Sequence, residues 1–410
     1  MNACRCAVLA IWLLVASACQ SVGPTSFGPS APAGDIIIAS DLPTSGFYGD
    51  GFRAELAIRL AIAKHPAVGR FKLSYWSLDD AVAGNAWPEK GIQNVQMMLD
   101  DPRVLAMIGP FNSYVGVSEI PVANTGDLVM VSPSNTNICL TITGPNCAAP
   151  ARSLRPNQIN NYFRISPPDP AQGTAMARYV TSVLGVNRVA IINEWDTDGR
   201  DIIRSFDKEL EHDGGQVVLS KDFDPGETDF RSFLVEAQDK GAQAIYALGN
   251  DSDRLCVVRA QMADGTLFLG TDGITGGQDC LSDAGAKTES MLSTKPDVDI
   301  SHSQDAAAMS FVLAYNHMYP GTPITPYAAA AYDCAQILIA AIARAIGGNG
   351  GNIPNRPQVL DRVAKGQFQG LTGTYSFDQN GDATAPLMSM YRVTNGKWTF
   401  EGKIDATATP

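Results

Sequence analysis

Short apolar runs rich in β-branched residues recur along this chain, and most are followed by a stretch of helical length. Residues 35–40, 71–77, 104–108, 128–131 and 162–166 have the length and composition of buried strands. Residues 52–64 and 114–125 supply helical segments between them. The rhythm restarts after Pro167-Pro168-Asp169-Pro170. That cluster cannot continue a helix or a central strand, so it predicts a hinge or boundary. Beyond it, strands are expected at 188–193, 216–221, 244–249 and 267–269, alternating with helices at 173–184, 201–213, 229–240 and 252–263. This alternation predicts an α/β protein of two doubly wound lobes in succession, with a cleft between them. Helices at 303–319, 327–346 and 356–365 and strands at 387–393 and 398–404 complete the pattern.

The stretch from Asp101 to Thr141 organises the rest. Its two apolar runs end in loops of small polar residues, Gly109-Pro110-Phe111-Asn112-Ser113 and Ser132-Pro133-Ser134-Asn135-Thr136. A βαβ unit of this kind sets hydroxyls at the carboxyl ends of parallel strands, the edge where open α/β sheets bind ligands. A loop that opens a helix also offers free backbone N–H groups and a positive dipole end, which suit an anion. Helix capping by the same hydroxyls is the alternative. After strand 35–40, Gly46, Gly49 and Gly51 do not make G-x-G-x-x-G, so the dinucleotide reading fails on spacing. Asp79 or Asp80 is expected to cap the helix that follows, and no His or third acid lies nearby in sequence to complete a metal set.

Length and composition narrow the class. The 410 residues predict two domains or more. With 45% hydrophobic and 18% charged residues the chain reads as an ordinary globular protein. The net charge of −12 and the lack of any basic tract argue against nucleic acid and against attraction to anionic membranes. Residues 1–19 read as a leader: Arg5 precedes an apolar run at 7–18 that is too short to span a bilayer. It ends in Ala16-Ser17-Ala18-Cys19, similar to a bacterial lipobox except that leucine is usual where Ala16 stands. Cys19 is therefore the expected lipidation site, and a plain signal peptide cut near Ala18 is the alternative. Residues 20–33, rich in Ser, Pro and Gly, read as a flexible tether. The richest later apolar run, 336–346, carries Arg344 and reads as a core helix.

Export makes disulfides possible. Cys139 and Cys147 flank a short, turn-rich loop and are candidates for one; Cys256 and Cys280 are candidates for a second. Cys334, in an apolar helix, reads as a small buried hydrophobe.

Ile108-Gly109-Pro110-x-x-Ser113, followed by Val131-Ser132-Pro133-Ser134-x-Thr136, resembles the leucine/isoleucine/valine-binding family of type I periplasmic binding proteins. The resemblance runs from about Asp35 to Ile404, and it includes the closing G-x-T-G-x-x-x-F-D-x-x-G-D that starts at Gly370. It implies a type I periplasmic binding fold whose lobes are joined by a three-crossing hinge, with Ser293-Thr294-Lys295-Pro296 at the second crossing. One lobe would comprise 34–166 and 296–388, the other 167–295 and 389–404, with 405–410 as tail. It also implies site residues: Ser113, Ser134 and Thr136 for a ligand carboxylate, Asp272 for its ammonium, and Tyr48 and Tyr327 as walls. Asp198 aligns with a position that is usually aromatic, and a second position, often aromatic, falls near Asn250 or Asp251; here all are polar. If they face the cleft, an aliphatic side chain would leave polar groups unpaired, so a polar amino acid, or a ligand with a second amine or amide, is expected.

The expected function is thus an extracytoplasmic solute-binding lipoprotein of an ABC importer, monomeric and held to the membrane only by its lipid. It would take an amino acid or small amide without cofactor or metal and deliver it to a membrane permease. A sensor module of the same fold, signalling to a membrane partner, is the alternative. An enzyme would need a nucleotide loop, a G-x-S-x-G elbow or a His-based set, and His65, His212, His302 and His317 lie away from the loops named above.

Overall fold

The computed structural model describes residues 30–46, 49–194, 197–224, 226–249, 254–275, 279–301 and 303–407. Strand Ile36–Leu42 lies at the centre of a six-stranded sheet. Phe71–Asp79 is on one side of it, and Val104–Ile108, Val129–Ser132 and Tyr162–Arg164 follow on the other. All these strands are parallel, and Ala67–Val68 adds a short antiparallel edge. The second sheet repeats the order with Arg188–Glu194 near its start, flanked by Gln216–Phe223 and by Ala244–Leu248, Leu267–Gly270 and Leu292–Lys295. Leu387–Thr394 and Lys397–Asp405 extend it antiparallel. The chain leaves the first sheet after Arg164, returns to it after Lys295 and enters the second again at Leu387, which makes the three-crossing hinge.

Parallel sheets covered on both faces need strands that are apolar on both faces. Ile36 and Ile38 pack under helices Asp50–Lys64 and Pro326–Gly348, while Ile37 and Ala39 pack under Pro88–Asp100 and Ser113–Asn124. All four are fully buried, and each isoleucine contributes about 1.5–3 kcal/mol by leaving water. The second sheet divides its faces in the same way, Val189 and Ile191 to one side and Ala190 and Ile192 to the other. Helix Pro326–Gly348 is long and apolar enough to cross a membrane by composition, but 78% of its most apolar window is buried in the first lobe, and Cys334 is a buried free thiol within it. The structure joins Cys139 to Cys147 and Cys256 to Cys280.

Three local expectations are corrected. The helix after the hinge starts at Asp169, not 173: Pro170 sits in its first turn, where a missing N–H leaves nothing unpaired. The helix expected from 201 starts at Thr197. Asp79 and Asp80 do not cap the next helix, because a hairpin of Ala81–Val82 and Asn85–Ala86 intervenes and helix Pro88–Asp100 begins behind Trp87. Asp79 instead accepts the Ala81 N–H at 3.0 Å.

Asp80 turns inward, where it meets Asp41 and Glu119. All three carboxyls are buried, and neither oxygen of Asp80 has a hydrogen-bond partner. Asn94 donates to Asp41 at 2.7 Å. Burial pushes Asp41 up to about 7 and Asp80 up to about 8, with neighbouring Asp79 adding to both and Lys90 opposing it at Asp41. Glu119 is likewise pushed up, by burial first and then by Asp41 and Asp80. The unfolded carboxyls titrate near 4, so the folded chain binds more protons between about pH 4 and 8. Stability is therefore expected to fall as pH rises through that window, and Asp80→Asn to make the fall shallower by at least about 1 kcal/mol between pH 5 and 8.5. Urea unfolding at the two pH values checks this; equal losses in both proteins would contradict it.

The fully buried Arg164 donates to Asp382 at 2.6 Å, to the Asn137 carbonyl at 2.7 Å and to the Thr141 hydroxyl at 2.7 Å. Removing one partner strands a buried charge, so Asp382→Ala is expected to cost about 3–5 kcal/mol. The double replacement Arg164→Met, Asp382→Leu should cost less than Asp382→Ala alone. A urea titration of both variants reads the difference.

Candidate functional site

The carboxyl ends of the first sheet's strands carry the two hydroxyl loops, and hydroxyl-to-carbonyl bonds tie them together. Ser132 donates to the Pro110 carbonyl at 2.8 Å, Ser134 to the Phe111 carbonyl at 2.7 Å, and the Asn135 amide to the same carbonyl at 2.7 Å. Ser113 is the first residue of helix Ser113–Asn124, and its hydroxyl accepts the Asn137 N–H at 3.3 Å. The Ser134 proton is thus given to the loop's own carbonyl, whereas the Ser113 hydroxyl acts as an acceptor. The Thr136 hydroxyl takes no hydrogen bond among the described residues; its carbonyl accepts the N–H of Asp169, at the start of the second lobe's first helix, at 2.8 Å.

That helix carries Gln172, fully buried, which faces the second sheet's edge. Its amide donates to the Asp272 carboxylate at 2.8 Å, and its carbonyl accepts from the Thr294 hydroxyl at 3.1 Å. Asp272 opens the turn Asp272–Ile274 directly after strand Leu267–Gly270. Loss of surrounding water pushes its carboxyl up, while the Gln172 amide and the Lys295 ammonium pull it back. The result is a carboxylate held by Gln172 at the strand end.

Tyr327 stands in the first turn of helix Pro326–Gly348, whose start is capped by the Thr325 hydroxyl accepting from Ala328. Its ring meets the Phe111 ring edge-on, centroids 5.2 Å apart, and the Lys295 ammonium lies 5.7 Å from its centroid. Burial pushes the Tyr327 phenol up, and Asp297, Asp272, Asp50 and Asp169 add to the shift. Carboxylates from both lobes therefore surround it.

Of the residues expected at the site, the structure brings Tyr327 and Asp272 into one electrostatic neighbourhood. It connects Ser134 to this neighbourhood through Phe111, and Thr136 through Asp169. Ser113 is set beside the same loops. Tyr48 and Asn250, like Cys19, lie outside the described residues. Asp198 lies in the first turn of helix Thr197–His212 rather than in a loop, and its side chain is outside the described set. Sequence reasoning missed Gln172, Phe111 and Asp297. Phe111 lay in view in its loop. Gln172 carried no signal of its own, being one of several polar residues on helix Asp169–Ser182, and Asp297 carried that of an acid beside the crossing proline. Among the described residues, the cluster close enough to hold a metal is Glu209, His212 and Asp213, far from these loops in sequence and with Glu209 already paired to Arg178 at 2.7 Å.

The sequence profile of the periplasmic binding protein family matches residues 36–397. A Leu/Ile/Val-binding protein homolog of Brucella abortus is 26% identical over 382 residues, covering 90% of this chain and 93% of that protein. A leucine-binding protein LivK of Thermotoga maritima is 25% identical with a TM-score of 0.68, covering 90% of this chain and 98% of that one. An ABC transporter substrate-binding protein of Desulfitobacterium hafniense, solved in complex with Leu, has a TM-score of 0.72 at 21% identity, covering 89% and 99%. With the strands of both sheets, the last one excepted, and most of the core inside the matched span, the chain belongs to the periplasmic binding protein family, a family of binding proteins rather than enzymes.

Proposed function

We propose that this chain is the extracytoplasmic binding lipoprotein of an ABC importer and that it closes its lobes on an amino acid or a related small amide. The observation that carries this is Asp272, a carboxylate held by buried Gln172 at the edge of one sheet and within electrostatic reach of Tyr327, which packs on the hydroxyl loops of the other. Ser113 and Thr136 take the carboxylate of the ligand, while Ser134, expected to share in this, spends its proton on the Phe111 carbonyl and braces the loop. Asp272 takes the ligand's ammonium, and Tyr327 and Phe111 wall its side chain, with Tyr48 as a further wall. An ammonium against a carboxylate in a dry cleft makes a strong charge-assisted contact. The names of the Brucella abortus and Thermotoga maritima relatives and the Leu complex support an amino-acid ligand. Polar Asp198 and Asn250 favour a polar one. The lobes are taken as 34–166 with 296–388 and 167–295 with 389–404, so the ligand bridges two bodies and favours their closed arrangement. Cys19 carries the lipid that holds the protein beside its permease.

A thermal-shift screen over the amino acids and small amides, on protein stripped of ligand through mild denaturant, tests the site. A ligand at about 100 times its Kd stabilises by about 2.7 kcal/mol. Asp272→Ala is expected to abolish the shift. Gln172→Ala, which leaves the carboxylate unheld, should weaken binding about tenfold, the size of one hydrogen bond to a charged group. A shift that survives Asp272→Ala would remove the ammonium assignment. For the anchor, Cys19→Ser should move the protein from the membrane fraction to the soluble one; equal partition of both forms would point to a plain signal peptide.

A further inference from the structure

We propose that the ligand carries a second cationic group, as a basic amino acid does, and that Asp297 is the residue that selects it. This rests on the interlobe reading given above.

Asp297 follows Pro296 at the second crossing. Its side chain is fully buried, and neither carboxylate oxygen has a hydrogen-bond partner. The nearest cation, the Lys295 ammonium, stands 3.8 Å away, beyond hydrogen-bond length. Lys295 also lies over the Tyr327 ring and within electrostatic reach of Asp272. One ammonium thus serves two carboxylates. Asp50 of the first lobe adds to the negative field at Asp297 and at Tyr327, and its own ion pair with Arg53 is a 3.3 Å contact on one helix. Burial pushes the Asp297 carboxyl up to about 6, and Asp272, Asp299 and Asp50 add to the shift against Lys295.

Leaving a carboxylate buried without a donor is costly, and such groups gather where a ligand completes them. A zwitterionic amino acid brings no net charge: its ammonium answers Asp272 and its carboxylate goes to the hydroxyl loops. Asp297 would remain unanswered. A ligand with a further ammonium or guanidinium supplies the missing donor. The adjoining Tyr327 and Phe111 rings suit it too, because aromatic faces attract cations.

The test is calorimetric titration of the purified, ligand-stripped protein with L-lysine, L-ornithine, L-arginine, L-glutamine and L-leucine. At least one basic amino acid should bind at least tenfold tighter than leucine. Asp297→Asn should reduce the basic-to-leucine affinity ratio by at least tenfold. Asp50→Asn, a change at a half-buried helix start, should lower the same ratio by a smaller factor, and it keeps the test open if Asp297→Asn does not fold. Tighter binding of leucine or glutamine than of every basic amino acid overturns the selection by Asp297 while leaving the amino-acid reading intact. An unchanged ratio in both variants overturns it equally. No binding of any of the five overturns the amino-acid reading and this inference with it.

Discussion

The guanidinium of Arg164 holds three separate parts of the chain to one point. It projects from the last strand of the first sheet, immediately before the first crossing. Asp382 comes from the segment just before the third crossing, and Asn137 and Thr141 come from the loop that continues Ser134 and Thr136. A guanidinium with no water around it demands donors' partners in a fixed fork geometry, so each contact fixes the others. The hydroxyl loop cannot shift without unpairing a buried charge. Gly381 shows how close the approach is: its backbone has φ +95, its carbonyl accepts from the Arg164 N–H at 3.0 Å, and a Cβ there would come 2.1 Å from the Tyr162 carbonyl.

The same logic separates satisfied from unsatisfied polar groups elsewhere. Arg164, Asp382 and Gln172 are buried and bonded, and they act as rivets. Asp80, Glu119 and Asp297 are buried with oxygens left unbonded. Solvation cost permits that only if the group takes up a proton or is met by something that arrives later. Asp41, Asp80 and Glu119 crowd one another, so protons answer them. Asp297 stands 3.8 Å from one lysine that it shares with Asp272, so on the proposal above a visiting cation is the better answer there.

Much of this was legible in the sequence because it is periodic. Doubly buried strands read as continuous apolar runs, and the loops between them read as small polar clusters. The order of those units carries the fold, and Asp272 and Tyr327 stand at strand and helix ends that the pattern marks. The rest was hidden because it depends on contacts across long separations. Gln172 and Asp272 are 100 residues apart, and Arg164 and Asp382 are 218. Local reasoning expects Asp79 or Asp80 to cap a helix, a common use of such residues, because nothing nearby in sequence shows Asp41 and Glu119 converging on Asp80. Pro170 was read as a breaker because the rule against proline inside a helix does not apply to its first turn.

Closure sets a quantitative demand on the site. Moving a two-state equilibrium from 1:99 to 99:1 requires about 5.5 kcal/mol of preference for the closed state. One charged hydrogen bond supplies about 1.5–3 kcal/mol. An ammonium on Asp272 alone therefore falls short, as would a carboxylate on the hydroxyl loops alone. The demand is met only by a molecule that engages both edges at once, and Asp272 together with Asp297 presents more acid than a single ammonium can answer. Contacts that span the lobes count fully toward closure, whereas contacts within one lobe, such as Ser134 with Phe111, are present in both states and contribute nothing to the preference. On the proposed reading, the groups that decide closure are the ones left without a complete partner inside their own lobe: the Ser113 and Thr136 hydroxyls and Asp297 on one side, Asp272 on the other.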